Sequence, residues 1–168
     1  SEQEGWNRHI VVKNPVGYKK LALLITFIST IPGVPVIYYG DEYGMPGAAD
    51  PDNRRPMRFH ELKEHEKEML QHTKKLLNTR KHSLALIYGD FRVIFSTKMQ
   101  LVYSRSYFTS HVLVVFNKSA AASTIRFTIP DYMRNKHITL LENIPFSMDG
   151  KIMSIEMPAF SYQLLSFE

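Results

Sequence analysis

Residues 30–59 read TIPGVPVIYYGDEYGMPGAADPDNRRPMRF, and the reading of this stretch decides what the flanking segments are for. Val34 to Tyr39 is a short run of β-branched and aromatic residues between Pro32-Gly33 and Gly40. Such a run predicts a strand buried on both faces. A helix is disfavoured, because Pro35 has no N–H and about six residues fall short of the roughly ten that a helix needs. Pro35 instead belongs near the strand's start. A long polar loop follows from Asp41 to Pro56, rich in glycine, proline and carboxylates. Loops of that length in compact domains are commonly functional or disordered. Within it, Asp50 and Arg54 stand four positions apart among turn-forming residues, a spacing that lets them orient one another by a charge-assisted hydrogen bond and present both groups to a polar ligand.

Upstream, Ser1 to Lys13 is polar with a single Trp6 and reads as a loop leading into a helix. Asn14-Pro15 then has the form of a helix start, with Asn as N-cap and Pro at the first helical position. From Tyr18 to Ile28 the chain is nearly all apolar, so this helix should be covered on most sides. Downstream, Phe59 to Lys81 reads as a second helix, with Leu62, Met69, Leu70, Thr73, Leu76 and Leu77 at three-and-four spacing. Its acids gather in the first half and Lys74, Lys75, Arg80 and Lys81 in the second, which complements the helix dipole.

From Ser83 the period changes. The β-prone runs are Leu84–Tyr88, Phe91–Ser96, Leu101–Ser106, Val112–Asn117, Thr124–Ile129, His137–Leu141, Lys151–Met157 and Ser161–Phe167, with turn signals such as Gly89-Asp90, Pro130-Asp131 and Asp149-Gly150 between them. Short strands at this spacing argue for an antiparallel sandwich.

Residues 30–57 resemble the last barrel strand and following loop of the α-amylase family of glycoside hydrolases, especially its cyclomaltodextrinase- and neopullulanase-like branch. The family's eighth strand reads much like GVPVIYYGDE, and its next loop like G-x-x-DPDxRRPM. Leu101–Arg105 and Val112–Ser119 are similar to wording of the family's C-terminal domain, and Phe160-Ser-Tyr-Gln-Leu-Leu to its closing strand, which would make Glu168 a natural end. The resemblance implies an α/β fragment, the last helix, strand and helix of a β/α barrel, followed by an all-β antiparallel sandwich. On that reading residues 1–82 are the barrel's seventh helix, eighth strand and eighth helix, and residues 83–168 are the C-terminal domain. A lone parallel strand forms no sheet, and nothing else here supplies parallel neighbours with crossover helices, so the remaining units would lie upstream.

Composition sets outer bounds. With 168 residues, 44% apolar and 22% charged, the chain is long enough for a real core and ordinary for a globular protein. The absence of cysteine excludes a disulfide scaffold and leaves the compartment open, an exported bacterial protein included. No apolar run reaches the roughly eighteen residues of a membrane span, the polar start at Ser1 carries no signal peptide, and that start without Met reads as a cut or a junction. The formal charge of +5 is spread along the chain with no nucleic-acid-binding motif. No cofactor is expected from these residues. Seven histidines invite a metal, but His60 and His65 lack the helical i, i+4 spacing, there is no cysteine to join them, and surface positions are the plainer reading. Family members often bind calcium in upstream regions.

Glycoside hydrolysis normally needs two carboxyl groups, one protonated and one ionised. By resemblance these sit after the fourth and fifth strands, with a third acid after the seventh, all ahead of Ser1, so no catalytic residue is assigned. Asp41-Glu42 adjoin one another at a strand end and should point to opposite sides, which suits them to hold the loop by hydrogen bonds. Asp50 and Arg54 match the acid and arginine that in the family contact sugar hydroxyls beside the cleavage point; the plainer alternative is an ion pair that shapes the loop. Asp52 and Arg55 read as supports. Tyr39 and Tyr43 are able to stack on a sugar, with burial the better expectation for Tyr39. The expected partner is an α-glucan or maltooligosaccharide in a parent enzyme, this chain alone being inactive and prone to self-associate through Asn14 to Lys81. The rival is a stand-alone sandwich module that binds carbohydrate or protein through exposed aromatics, for which Phe91, Tyr103, Tyr107, Phe108 and Tyr162 are candidates.

Overall fold

A computed structural model describes residues 7, 8 and 10–168; Trp6, placed above in a leading loop, lies outside them. Two helices lead, α1 (Val16–Thr30) and α2 (Glu64–Lys81), then a short α3 (Leu84–Tyr88). Eight strands follow: β1 (Asp90–Ser96), β2 (Gln100–Tyr107), β3 (Ser110–Asn117), β4 (Ser123–Thr128), β5 (Ile138–Leu140), β6 (Phe146–Asp149), β7 (Ile152–Met157) and β8 (Ser161–Phe167). They form a five-stranded sheet of order β1-β2-β3-β8-β5 and a three-stranded sheet of order β4-β7-β6. Every ladder is antiparallel, as the alternating sequence requires.

The two helices cover one face of the large sheet and the small sheet covers the other. Alternation along β3 makes this possible: Val112, Val114 and Phe116 join Leu23, Ile25, Met69 and Leu76 of the helices, while Leu113 and Val115 join Ile125, Phe127, Met153 and Ile155 of the small sheet. Tyr162 and Leu164 of β8 face the helices, and Leu165 and Phe167 face the small sheet. A central strand covered on both faces therefore reads as a continuous apolar run, whereas β4, covered on one, exposes Thr124, Arg126 and Thr128 between buried Ile125 and Phe127.

Several expectations are corrected. Val34–Tyr39 joins neither sheet, and instead of being buried, Val34 and Val36 are 87% and 80% exposed. The reason is that every ladder among the described residues is antiparallel, so the segment meets no parallel neighbour there. Leu84–Tyr88 is helical, because the Ser83 hydroxyl accepts the Leu86 N–H at 3.3 Å and caps the turn. In its place β6 (Phe146–Asp149) completes the set, a strand whose composition carries no strong β signal.

Helix α2 begins at Glu64 rather than Phe59, since the Glu66 carboxylate accepts the Lys63 N–H at 2.8 Å and closes its first turn. Its buried face is Glu66, Met69, Thr73, Leu76 and Arg80, with Leu77 off that face. At the start of α1, Asn14 Oδ1 accepts the Val16 N–H at 3.0 Å, so the Asn14-Pro15 start holds to within a residue.

Two arginines fasten the end of α1. Arg80 donates from Nη1 to the Ser29 and Ile31 carbonyls at 2.9 and 3.1 Å and from Nη2 to that of Gly33. Arg105 of β2 donates from Nη1 to the Thr30 carbonyl at 2.5 Å. Both guanidiniums are buried, and burial draws both pKa values down from a range so high that the charge remains. They sit against the carbonyls at the negative end of a helix dipole.

Candidate functional site

The segment after α1 leaves Arg80 and turns at Gly40, whose φ of +92° suits glycine. A 3-10 turn, Asp41–Tyr43, follows. Glu42 holds it, its Oε2 accepting the Gly40 N–H at 2.6 Å while its carbonyl accepts the Thr73 hydroxyl of α2 at 2.9 Å. This is the hydrogen-bonding role expected of the acidic pair. Burial raises the Asp41 pKa, and neighbouring Glu42 adds to the rise.

Tyr43 is only 1% exposed, which removes it as a sugar platform. Its hydroxyl donates to Met45 Sδ at 3.0 Å and accepts the Arg58 N–H at 3.3 Å, with the Arg58 guanidinium 5.5 Å from its ring centre. Arg58 reaches on to buried Glu66 at 2.5 Å, so the far end of the loop is tied to the start of α2.

Tyr39 reverses expectation in the other sense. It is exposed, and its ring lies 4.5 Å from that of Tyr38 at 45°. A side-chain hydrogen bond with Tyr38 that favours the protonated phenol, and then desolvation, raise its pKa against the pull of the nearby Arg54 charge. Tyr38 is 54% exposed, and its one signal in the sequence is the Tyr-Tyr pair before Gly40.

Between these anchors, the turn Asp52–Arg54 carries two ion pairs of different character. Arg55 donates to Asp52 through Nε and Nη2 at 2.7 and 2.6 Å, and Asp52 Oδ2 also accepts the Ala48 N–H at 2.7 Å. Asp52 is buried, so this pair is the loop's internal brace. Arg54 and Asp50 meet at 2.8 Å with side chains 70% and 57% exposed. A carboxylate offers acceptors and a guanidinium offers planar donors, so the outer pair presents both to solvent on a braced turn.

His72 and His111 are not surface residues. His72 is half-buried against α1 and β8, and His111 is buried in β3 with Nδ1 unpartnered among the described residues. No group of three or more His, Cys, Asp and Glu able to hold a metal occurs among the described residues, and no helix there is long and apolar enough to cross a membrane.

The layered arrangement defines the class: an antiparallel β-sandwich with helices packed on the outer face of its larger sheet. Known proteins agree. A family model described as Maltogenic Amylase, C-terminal domain, matches residues 91–164. A cyclomaltodextrinase of Geobacillus thermopakistaniensis is 32% identical over 152 residues, covering 89% of this chain and 26% of that protein. Neopullulanase 2 of Thermoactinomyces vulgaris is 37% identical over 114 residues, covering 67% of this chain and 19% of its own length. The solved debranching enzyme of Nostoc punctiforme superposes with a TM-score of 0.76 at 26% identity, covering 88% of this chain and 31% of that one. The chain is thus related to the C-terminal part of α-amylase-family glycoside hydrolases, in the cyclomaltodextrinase and neopullulanase branch. It spans 19–26% of the length of these curated relatives.

Proposed function

We propose that this chain is the C-terminal portion of a glycosidase that hydrolyses α-glucosidic bonds in α-glucans or maltooligosaccharides. Residues 1–82 are the seventh helix, eighth strand and eighth helix of its catalytic β/α barrel, and residues 83–168 its β-sandwich domain. The observation that carries this reading is the bare apolar segment at Val34 and Val36, a strand sequence without a sheet, directly ahead of the braced loop. In a β/α barrel such a segment finds parallel partners on both sides, and the loop after it stands at the face where barrel enzymes bind substrate.

On this reading Asp50 and Arg54 bind sugar hydroxyls, and Tyr38 and Tyr39 border them. The catalytic carboxyls lie upstream, so the chain alone is inactive. The plainer alternative, an ion pair that only shapes the loop, is disfavoured by the division of labour: Asp52 and Arg55 already brace it, and the outer pair is solvent-facing.

The test is made on the complete gene product. Its mass, detected with an antibody against residues 83–168, should be several times 19.5 kDa; a product of about that size would overturn the barrel assignment. In that protein Arg54→Ala should cut kcat/KM on maltooligosaccharides by about tenfold or more, the loss of a desolvated charge-assisted contact, with folding unchanged. Wild-type kinetics would remove Asp50 and Arg54 from the site.

A further inference from the structure

The junction of α3 with the β2–β3 hairpin gathers three aromatic rings at one corner of the sandwich. Gly89 permits it, since a Cβ there would fall 2.3 Å from the Ala85 carbonyl oxygen and 2.8 Å from the Ser106 nitrogen. Arg105 locks the approach, donating to the Gly89 carbonyl from Nη2 and to the Asp90 carbonyl from Nε, both at 2.9 Å. Tyr88 at the end of α3 thereby lies 5.5 Å from Tyr107 at 44°, and Phe108 meets Tyr107 edge-on at 4.7 Å and 89°.

This corner is costly to the fold. Phe108 is 84% exposed and Tyr88 65% exposed, so neither gains the free energy of burial. Phe108 also holds φ at +49°, a conformation that glycine and asparagine adopt readily and a phenylalanine does not. A stability-driven sequence would place a small polar residue or glycine here.

We propose that Tyr88, Tyr107 and Phe108 form a binding platform for an α-glucan chain, on the sandwich rather than on the Asp50–Arg54 loop. The proposal rests on the reading of the parent as a glucan-acting enzyme. A pyranose ring has an apolar C–H face that packs on an aromatic ring and a rim of hydroxyls that needs polar partners. The hydroxyls of Tyr88 and Tyr107 supply such partners, as does the Lys136 ammonium, 3.4 Å from the Thr109 carbonyl at the same turn. Three partly exposed rings offer roughly a few hundred Å², short of the about 800 Å² per partner that a stable protein interface buries. Their mutual inclination suits a curved α-linked chain better than a flat surface.

The experiment measures retardation of the 168-residue chain in native gels containing soluble starch, with titration calorimetry against maltoheptaose, for the wild type, Phe108→Gly, Tyr88→Ala, Arg54→Ala and a control at exposed Arg126 of β4, Arg126→Ala. The wild type and Arg126→Ala should bind alike, and the two platform variants about tenfold more weakly. Phe108→Gly should at the same time raise the melting temperature, because glycine accepts the positive φ. Four results would overturn the platform: no wild-type binding, binding indifferent to both aromatic substitutions, a lowered melting temperature in Phe108→Gly, or self-association lost in that variant without any glucan binding. Binding lost only in Arg54→Ala would overturn the platform and leave the proposed function standing. Platform binding intact in a complete gene product that cleaves no α-glucan would overturn the proposed function alone.

Discussion

His72 of α2 meets Tyr162 of β8 across the seam between helices and sheet, Nδ1 to hydroxyl at 3.0 Å with the rings edge to face. Its Nε2 lies 3.1 Å from the Ala22 carbonyl of α1. Tyr162 donates to Glu142 at 2.7 Å, and Lys75 reaches the same carboxylate at 2.7 Å. One cluster of polar groups therefore fastens both helices to the sandwich.

This cluster gives a pH dependence with a definite sign. Burial lowers the His72 pKa, with Lys75 contributing, while the Ala22 carbonyl and Glu142 oppose the shift. A histidine that binds its proton less readily folded than unfolded stabilises the fold above the unfolded pKa of about 6.5, and that contribution is lost as pH falls below it toward the folded value. The urea midpoint should drop between pH 7.5 and 5, and His72→Gln should flatten the drop. An unchanged slope in the variant would show that other groups set it.

Arg105 serves three carbonyls, Thr30 at the end of α1 and Gly89 and Asp90 at the entry to β1. Lysine keeps the charge but has a single ammonium, unable to span this fork. Arg105→Lys should cost about 2–3 kcal/mol, since buried carbonyls lose their donors. Chemical denaturation measures it, and a change below about 0.5 kcal/mol, the range of ordinary surface substitutions, would mean that water replaces the guanidinium at no cost.

The inner and outer ion pairs of the loop should respond in opposite ways. Asp52→Asn breaks a buried bidentate pair and should open the loop, so that trypsin cuts after Arg54 faster than in the wild type. Arg54→Ala removes only an exposed pair and should alter stability by less than about 0.5 kcal/mol. If Asp52→Asn resists trypsin as the wild type does, the brace lies elsewhere.

What the sequence discloses follows the range of the interactions. Alternation in β4, with Ile125 and Phe127 between polar neighbours, is local and easily read. So is the Asp50–Arg54 spacing, because four residues of turn bring the pair to 2.8 Å. Leu84–Tyr88 misleads because its composition suits a strand, while one hydroxyl at Ser83 decides for a helix. His72 and Arg105 are illegible for a different reason: their partners lie 90 and 75 residues away, and no periodicity encodes such distances. Val34–Tyr39 has a strand's composition and, among the described residues, none of a strand's neighbours, and composition alone does not report whether a neighbour is present.

That last mismatch can be tested directly. Val34, Val36 and Tyr38 expose apolar surface in one segment that joins neither sheet, a combination that drives association. The isolated chain should show a concentration-dependent mass in sedimentation, and Val34→Ser with Val36→Ser should shift it toward monomer, each buried valine being worth about 1.5–3 kcal/mol. The same pair of substitutions should have the reverse effect in the complete gene product, where a barrel would bury these side chains: lower stability and less soluble protein. A wild-type chain that sediments as a clean monomer, together with a complete protein indifferent to both changes, would mean that this segment is a solvated loop and not the missing strand of a barrel.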